Sequence, residues 1–463
     1  MIDLSDHENY LHRINIESDV RLKFFNKLNL KKYLHVAEEI EKQLRDEDVT
    51  LEGKPLFVSL NPTILYLKEV KKVADDLQKI HDLLTKVLIR FIEDYRSKDF
   101  NSPLITYFAE YKKWFKIIAE ERRMLPPINN SRFDTTFDDD KGWKIMEINT
   151  RCPGGVIKVA KCRKAYMDTQ FHKEIIEKYK IHDFPVDHSS AFIHFLMKQA
   201  KIVSKNKAPN LAICNFKGVY TNEMDLLERE FGKNYSNGDS KLILCDVREV
   251  QVKKGIVYAK DVPVSLIYNK LDQLMIDPDD HSLKGWLDAS RSEHCDFLNS
   301  LGSIYLTHTK RILSLLQDND MQNYLNFTNE DLALVQKYIP ETQLLSRCNL
   351  EEIIEDRYEY VMKPDALSRG QEIYIGNEYS LEDWTKIVRE ASANDFVVQK
   401  LLKHQTKVSY LLKEGGLSLV KEQYGADYFY FASEFSGFHS RAHISTVFNL
   451  SSGGSVSPVF VLQ

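Results

Sequence analysis

The stretch RFDTTFDDDKGWKIMEINTRCPGG, residues 132–155, carries an arginine, two carboxylates and an amide at alternating positions. If a hairpin turns around Asp140-Lys141, Arg132 faces Asn149 and Asp134 faces Glu147, on one side of the ribbon. A slip of one residue would move Asp134 to the other face and break up the set. Two facing carboxylates repel each other and raise one another's pKa unless a cation sits between them. Asp134, Glu147 and Asn149 form an oxygen-donor set suited to Mg²⁺, with water and phosphate oxygens completing the shell. An exposed hairpin with a solvated polar face shows the same alternation, so spacing alone leaves both readings open.

Two further stretches offer anion-binding chemistry. In YVMKPDALSRGQEIYIG, residues 360–376, a strand delivers Lys363 and a short loop follows with Ser368, Arg369 and Gly370. A lysine and loop N–H groups between strands can hold phosphate oxygens, although a Lys-Pro pair also commonly just ends a strand. The loop lacks the Gly-Lys-Ser/Thr of a Walker A motif. Downstream, FVVQKLL supplies a strand whose edge, at Gln399, Lys400 and Leu402, could read a nucleotide base. Arg441, in a strand-like run after a Ser-Gly, could clamp a phosphate or a carboxylate, and on its own could equally be a surface residue. Cys152 lies just after the Glu-Asn pair, but no partner base is identifiable, so it reads as a small residue of a pocket and not as a nucleophile.

The elements that must position these groups follow from pattern. Residues 1–125 read as helical, with Asn61-Pro62 as an N-cap and N1 pair. Val70, Val73, Leu77, Ile80, Leu84, Val87 and Phe91 form a heptad stripe of about three heptads, which favours packing within the chain over a coiled-coil dimer. Residues 126–205 hold the hairpin and helices. Residues 206–280 hold a small parallel α/β unit, with strands LAICNF and KLILCDV on either side of a helix, and a second hairpin turning at Lys254-Gly255. Residues 281–463 begin with helices to about 337. They continue with the strands YEYVMKP and DFVVQKLL around the helix LEDWTKIVREA, and end in a strand-rich tail. The fold class is α/β (α+β).

Composition bounds the function. The chain has 463 residues, 43% hydrophobic and 28% charged, with a formal net charge of −5. That charge argues against a general nucleic-acid coat. No run of about 18 apolar residues predicts a membrane span. The N-terminus MIDLSDHENY has no signal-peptide pattern, and six scattered cysteines without a Cys-x-x-Cys pair suit reduced thiols. A cytoplasmic protein is expected.

Taken together, the order of these motifs over roughly residues 130–463 resembles the circularly permuted ATP-grasp ligases, which include glutathionylspermidine synthetase and the eukaryotic-type glutathione synthetases. The family's Arg-x-Asp and Glu-x-Asn strands match Arg132, Asp134, Glu147 and Asn149. Its ATP-touching lysine matches Lys310 in LTHTKRILSLL, and IPETQLL fits the approach to the ATP-binding subdomain. Lys363, Arg369 and Gly370 fit the phosphate loop, Gln399, Lys400 and Leu402 the adenine strand, and Arg441 the late arginine near the acyl phosphate. The loop holds only Gly370 where relatives often carry two or three glycines. Where some relatives place a metal-binding Glu it has Ser368 and Arg369, with Glu372 beyond. The amidase domain of bifunctional glutathionylspermidine enzymes has no counterpart in residues 1–130, which hold no cysteine.

The resemblance implies a circularly permuted ATP-grasp fold with a helical N-terminal region and a small pre-ATP-grasp unit. It implies ATP and Mg²⁺ as cofactors. The activity implied is an ADP-forming carboxylate–amine ligation through an acyl phosphate, on small-molecule carboxylate and amine substrates such as amino acids, peptides or polyamines. Nucleic acid and membrane partners are not expected. A small-molecule kinase, a ligase delivering the carboxylate to a carrier-protein thiol, and a catalytically decayed nucleotide-binding module are the alternatives.

Overall fold

The structure is a computed structural model that describes residues 27–51, 53–138, 140–179, 188–204, 208–236, 238–367, 371–413, 416–445, 450 and 453–462. Its N-terminal part is built around the helix Leu67–Arg96. All seven residues of the heptad stripe are buried on this helix. They share one core with Phe108, Trp114, Phe115 and Ile304, so the stripe is satisfied within the chain. The helix does not begin at Pro62. Residues Thr63–Tyr66 form a strand instead, paired in parallel with Val459–Leu462. The Asn61 side chain accepts the Tyr410 N–H at 2.9 Å and does not cap a helix. The apolar run Ile64-Leu65 faces Phe460 and Val461, and this non-local pairing outweighs the local cap signal.

The largest sheet has seven strands. Its main path runs Phe57–Val58, Ser455–Ser457, Glu434–His443, Gly416–Phe431, Asn130–Asp138 and Gly142–Asn149, and Thr406–Lys413 pairs with the long Gly416–Phe431 strand. The hairpin Asn130–Asp138/Gly142–Asn149 pairs Arg132 with Asn149 and Asp134 with Glu147, the register expected from the alternation. A register shift between Asp134 and Thr135 follows, so Asp134 pairs with Glu147 while Thr135 pairs with Ile145. The strand Gly416–Phe431 approaches this hairpin closely at Gly425, where an added Cβ would lie 2.1 Å from the Thr135 carbonyl oxygen. Only glycine fits there.

A second sheet is entirely parallel, in the order Asp296–Leu298, Leu266–Asn269, Leu211–Asn215, Leu242–Asp246. Its helix Asn222–Tyr235 crosses between the two strands predicted for the small α/β unit. The strand Asp296–Leu298 falls in the region expected to be helical, being too short for its pattern to declare itself. The neighbouring hairpin turns at Lys254-Gly255, both at positive φ (51° and 80°), as a tight two-residue turn requires.

A third, antiparallel sheet runs Thr342–Leu344, Phe396–Lys400, Tyr360–Pro364, Tyr374–Ile375. The helices Leu350–Glu355 and Leu381–Ala391 complete its core through Ile353, Ile354, Trp384 and Val388. The second helix is capped by Ser380, whose side chain accepts the Asp383 N–H. All six cysteines are free. Among the described residues no helix is long and apolar enough to cross a membrane.

Candidate active site

A cavity of about 680 Å³ opens between the third sheet and the hairpin face of the large sheet. It takes in Arg132, Asp134, Glu147, Asn149, Lys310, Lys363, Gln399, Lys400, Leu402 and Arg441. Arg369 and Gly370 lie outside the described residues. Among the described residues eight cationic side chains line the cavity against three carboxylates, in a chain whose net charge is −5. The cavity is a concentrated positive field.

At one end stand Lys310 and Lys363. The Lys363 ammonium donates to the Gln399 Oε1 at 2.7 Å and approaches the Met146 carbonyl at 3.4 Å. Gln399 is fixed in turn by donating to Thr342 Oγ1 at 2.9 Å. Burial pulls the Lys363 ammonium down to about 8, with Glu147 opposing and Lys310 adding to the shift. Lys310 lies 3.8 Å from Glu147 and donates to the Leu367 carbonyl at 2.5 Å. Asp365 joins the two lysines' elements: its carbonyl accepts the Lys310 N–H, and its carboxylate accepts both the N–H and the Nε of Arg311. Tyr111 completes the lock on Asp365. The Lys400 N–H is already used by the Glu341 carbonyl. Its ammonium sits 4.0 Å from the centre of the Tyr360 ring. His404, beside Lys363, is pushed down to about 4 by burial and by that lysine, so it is neutral at physiological pH.

In the middle, Arg132 grips Asp134 with two parallel bonds, Nε to Oδ1 at 2.5 Å and Nη2 to Oδ2 at 2.8 Å. Its third nitrogen donates to the Gly154 carbonyl at 2.7 Å. Arg441 donates to the same Asp134 Oδ2 at 2.6 Å and holds Asp427 through Nε and Nη2. Burial opposes the charge on Arg441, but Asp427 and Asp134 keep it more firmly protonated than an ordinary arginine. His308 is held neutral by burial and by the nearby Arg151, Lys310 and Arg132.

At the far end the sequence pointed to Cys152 but not to the charges around it. Lys270 and Glu223 form a buried ion pair at 3.0 Å, and Glu223 also accepts the Gly155 N–H at 2.6 Å. Burial alone would raise the Glu223 pKa, yet Lys270 and Lys158 hold it below the usual value. Arg151, 3.3 Å from Asp272, and the half-buried Cys152 lie alongside. A lysine directly after an apolar strand and a glutamate in the first turn of a helix, as Lys270 and Glu223 are, were the available signal.

The oxygen set bears on Mg²⁺. Among the described residues no three His, Cys, Asp or Glu side chains are grouped to hold a metal. Both Asp134 oxygens already accept guanidinium bonds. Glu147 has the ammonium groups of Lys310, at 3.8 Å, and of Lys363 close by, and the buried Asn149 amide nitrogen has no partner among the described residues. An amide is assigned its orientation by its partners, so this side chain can present oxygen by a half-turn. Glu147 and Asn149 fit a cation, while Asp134 is committed to the arginines.

No protein-family model matches the sequence, and no curated protein matches it. Solved structures do resemble it. A glutathione synthetase-like effector from Globodera pallida, in its apo form, aligns over 94% of this chain and 98% of that chain at 11% identity, with a TM-score of 0.61. A protein described as a γ-glutamylcysteine synthetase from Methylobacillus flagellatus aligns over 81% and 87% at 11% identity, with a TM-score of 0.42. A RimK-domain ATP-grasp protein from Sphaerobacter thermophilus aligns over 53% and 89% at 13% identity, with a TM-score of 0.26. At such identities the likeness is one of fold: this chain has the mixed α/β, ATP-grasp-like fold of the glutathione synthetase-like effector.

Proposed function

We propose that the chain is an ATP- and Mg²⁺-dependent ligase that joins a small-molecule carboxylate to an amine. The observation that carries this reading is the linear order of charge in one cavity. Two lysines beside the strand Phe396–Lys400 lead to two arginines, and beyond them lies a second charged pocket. A polyphosphate suits the first, a transferring phosphoryl group the second, and a polar carboxylate substrate the third.

On this reading Lys310 and Lys363 bind the phosphates of ATP, and Arg369 and Gly370 keep the phosphate-binding role that the resemblance implies for them. The backbone at Lys400 and Leu402 meets the adenine edge, with Gln399 acting through Lys363. Glu147 and Asn149 would hold Mg²⁺, whose contribution is to neutralise phosphate charge. Asp134 joins them only if it releases an arginine. Arg132 and Arg441 orient the substrate carboxylate and stabilise the oxygens of the phosphoryl group it accepts. An amine then displaces phosphate from the acyl phosphate, leaving an amide, ADP and free phosphate. Lys158, Lys270 and Glu223 offer both signs of charge to a substrate bearing ammonium and carboxylate groups. The hairpin precedes the third sheet in the chain, the order of the permuted members of the ATP-grasp group.

The test is an ADP-release screen over amino acids, peptides and polyamines, followed by product mass. ADP with a product heavier by the amine less water supports ligation. AMP with pyrophosphate would sink the acyl-phosphate route, and ADP with a stable phosphorylated product would make the protein a kinase.

A further inference from the structure

The hairpin pair Glu147–Asp134 continues across the large sheet. Asp134 pairs with Asp427 on the next strand, and Asp427 pairs with His439 on the one after. Paired residues share a face, so one row across four strands reads Glu, Asp, Asp, His. Like charges directly opposite one another destabilise a sheet, and here two of them, Asp134 and Asp427, are almost wholly buried. Arg441 resolves the conflict. Its own register partner is Gly425, which has no side chain to occupy the face. Arg441 instead reaches diagonally, with Nε and Nη2 on Asp427 and Nη2 also on Asp134. His439 closes the row from the other side, its Nε2 2.8 Å from Asp427.

We propose that Asp427, held in place by His439, is the positioning residue for Arg441. It fixes the Nε edge of the guanidinium so that the Nη edge is turned toward Asp134 and the cavity. The inference rests on the ligase reading for its catalytic consequence, but not for its geometry. Two arginines on Asp134 alone would leave a buried surplus of positive charge. Asp427 brings the cluster to two cations and two anions, so Arg441 stays charged and ordered without a bound anion.

The geometry is read by ¹H–¹⁵N correlation of the arginine Nε groups, with the Arg441 signal identified by its loss in Arg441→Ala. In the wild type it is expected to be shifted downfield and slow to exchange, and in Asp427→Asn this signature disappears although Arg441 remains. A signal unchanged in Asp427→Asn overturns the clamp, whether or not a ligation has been found. A signal lost in a protein that forms no amide supports the clamp and counts against the ligase reading alone. The catalytic consequence is read by a double-mutant cycle. Asp427→Asn should lower kcat by about 10- to 100-fold with ATP affinity within about threefold, and have no further effect on kcat in the Arg441→Ala background. Added guanidinium ion should restore turnover to Arg441→Ala but not to the double variant. Independent, multiplicative losses, or equal rescue of both, overturn the assignment. Should Asp427→Asn fail to fold, Arg441→Lys serves: it keeps the charge but has no planar Nε–Nη2 edge for Asp427 to fix, and is expected to be as slow as Arg441→Ala. Turnover within about threefold of wild type in Arg441→Lys would show that charge suffices and overturn the proposal.

Discussion

Lys363 is where a single proton can report on the proposed nucleotide site. Burial lowers its pKa from an ordinary 10.5 to about 8, against the pull of Glu147 and with the help of Lys310. Phosphate oxygens around the ammonium would favour its charged form and bring the pKa back to its ordinary value or above. At about 1.4 kcal/mol per unit, that restoration couples about 3 kcal/mol of binding to one proton. In the free protein Lys363 is charged at pH 7, and about nine-tenths of it is neutral at pH 9, so binding at pH 9 must take up a proton. Affinity for Mg·ATP should be nearly flat below pH 7 and fall about tenfold per unit above 8. Calorimetry in two buffers of different ionisation enthalpy should read an uptake of about 0.1 proton at pH 7 and about 0.9 at pH 9. Lys363→Met should flatten the profile and weaken binding at pH 7 by at least about tenfold, the loss of a charge-assisted contact. The sign for stability is opposite. A folded pKa below the unfolded one means that charged Lys363 opposes folding below about pH 8, and the penalty fades as pH rises toward 10.5. No proton uptake at pH 9, or unchanged affinity in Lys363→Met, would place the polyphosphate elsewhere.

Three other expectations follow from the cavity. Arg441→Ala should slow turnover by about 10²- to 10³-fold while ATP still binds, and hydroxylamine offered in place of the amine should trap a hydroxamate in the wild type only. Equal losses in turnover and ATP affinity would make Arg441 a nucleotide-binding group instead. Glu147→Gln should raise the Mg²⁺ concentration needed for half-maximal activity by about tenfold or more, whereas an unchanged Mg²⁺ titration would put the metal on other ligands. Glu223→Gln leaves Lys270 buried without its carboxylate, so thermal or urea unfolding should show a loss of about 3 to 5 kcal/mol. A variant as stable as wild type would mean that water reaches Lys270 and the far pocket is wet.

What was legible in the sequence was local and periodic. Alternation placed Arg132 opposite Asn149 and Asp134 opposite Glu147, because a hairpin's register is set by its own turn and hydrophobic pattern. The heptad stripe identified the buried face of the long helix for the same reason. Asn61-Pro62 misled because a cap is a weak local preference, and the segment after it pairs with residues almost 400 positions away. The strand Asp296–Leu298 was hidden by its length. The far pocket was missed because Lys158, Glu223 and Lys270 lie on separate elements and meet only when the small parallel sheet packs beside the hairpin.

The same distinction separates the members of the oxygen set. Alternation along a hairpin says which side chains share a face, but not which cations reach that face from strands far along the chain. Asp134 and Glu147 look equivalent by spacing, and the large sheet makes them different. Glu147 is on the edge strand, open toward Lys310 and the third sheet. Asp134 is one strand further in, between Glu147 and Asp427, where an unneutralised carboxylate could not remain charged. Two arginines therefore meet there, one from its own strand and one from a strand 307 residues later. A carboxylate committed in this way is a poor Mg²⁺ ligand and a good pivot for guanidinium groups. The edge position of Glu147 keeps it out of the arginine cluster, which is why the proposed Mg²⁺ role falls to it.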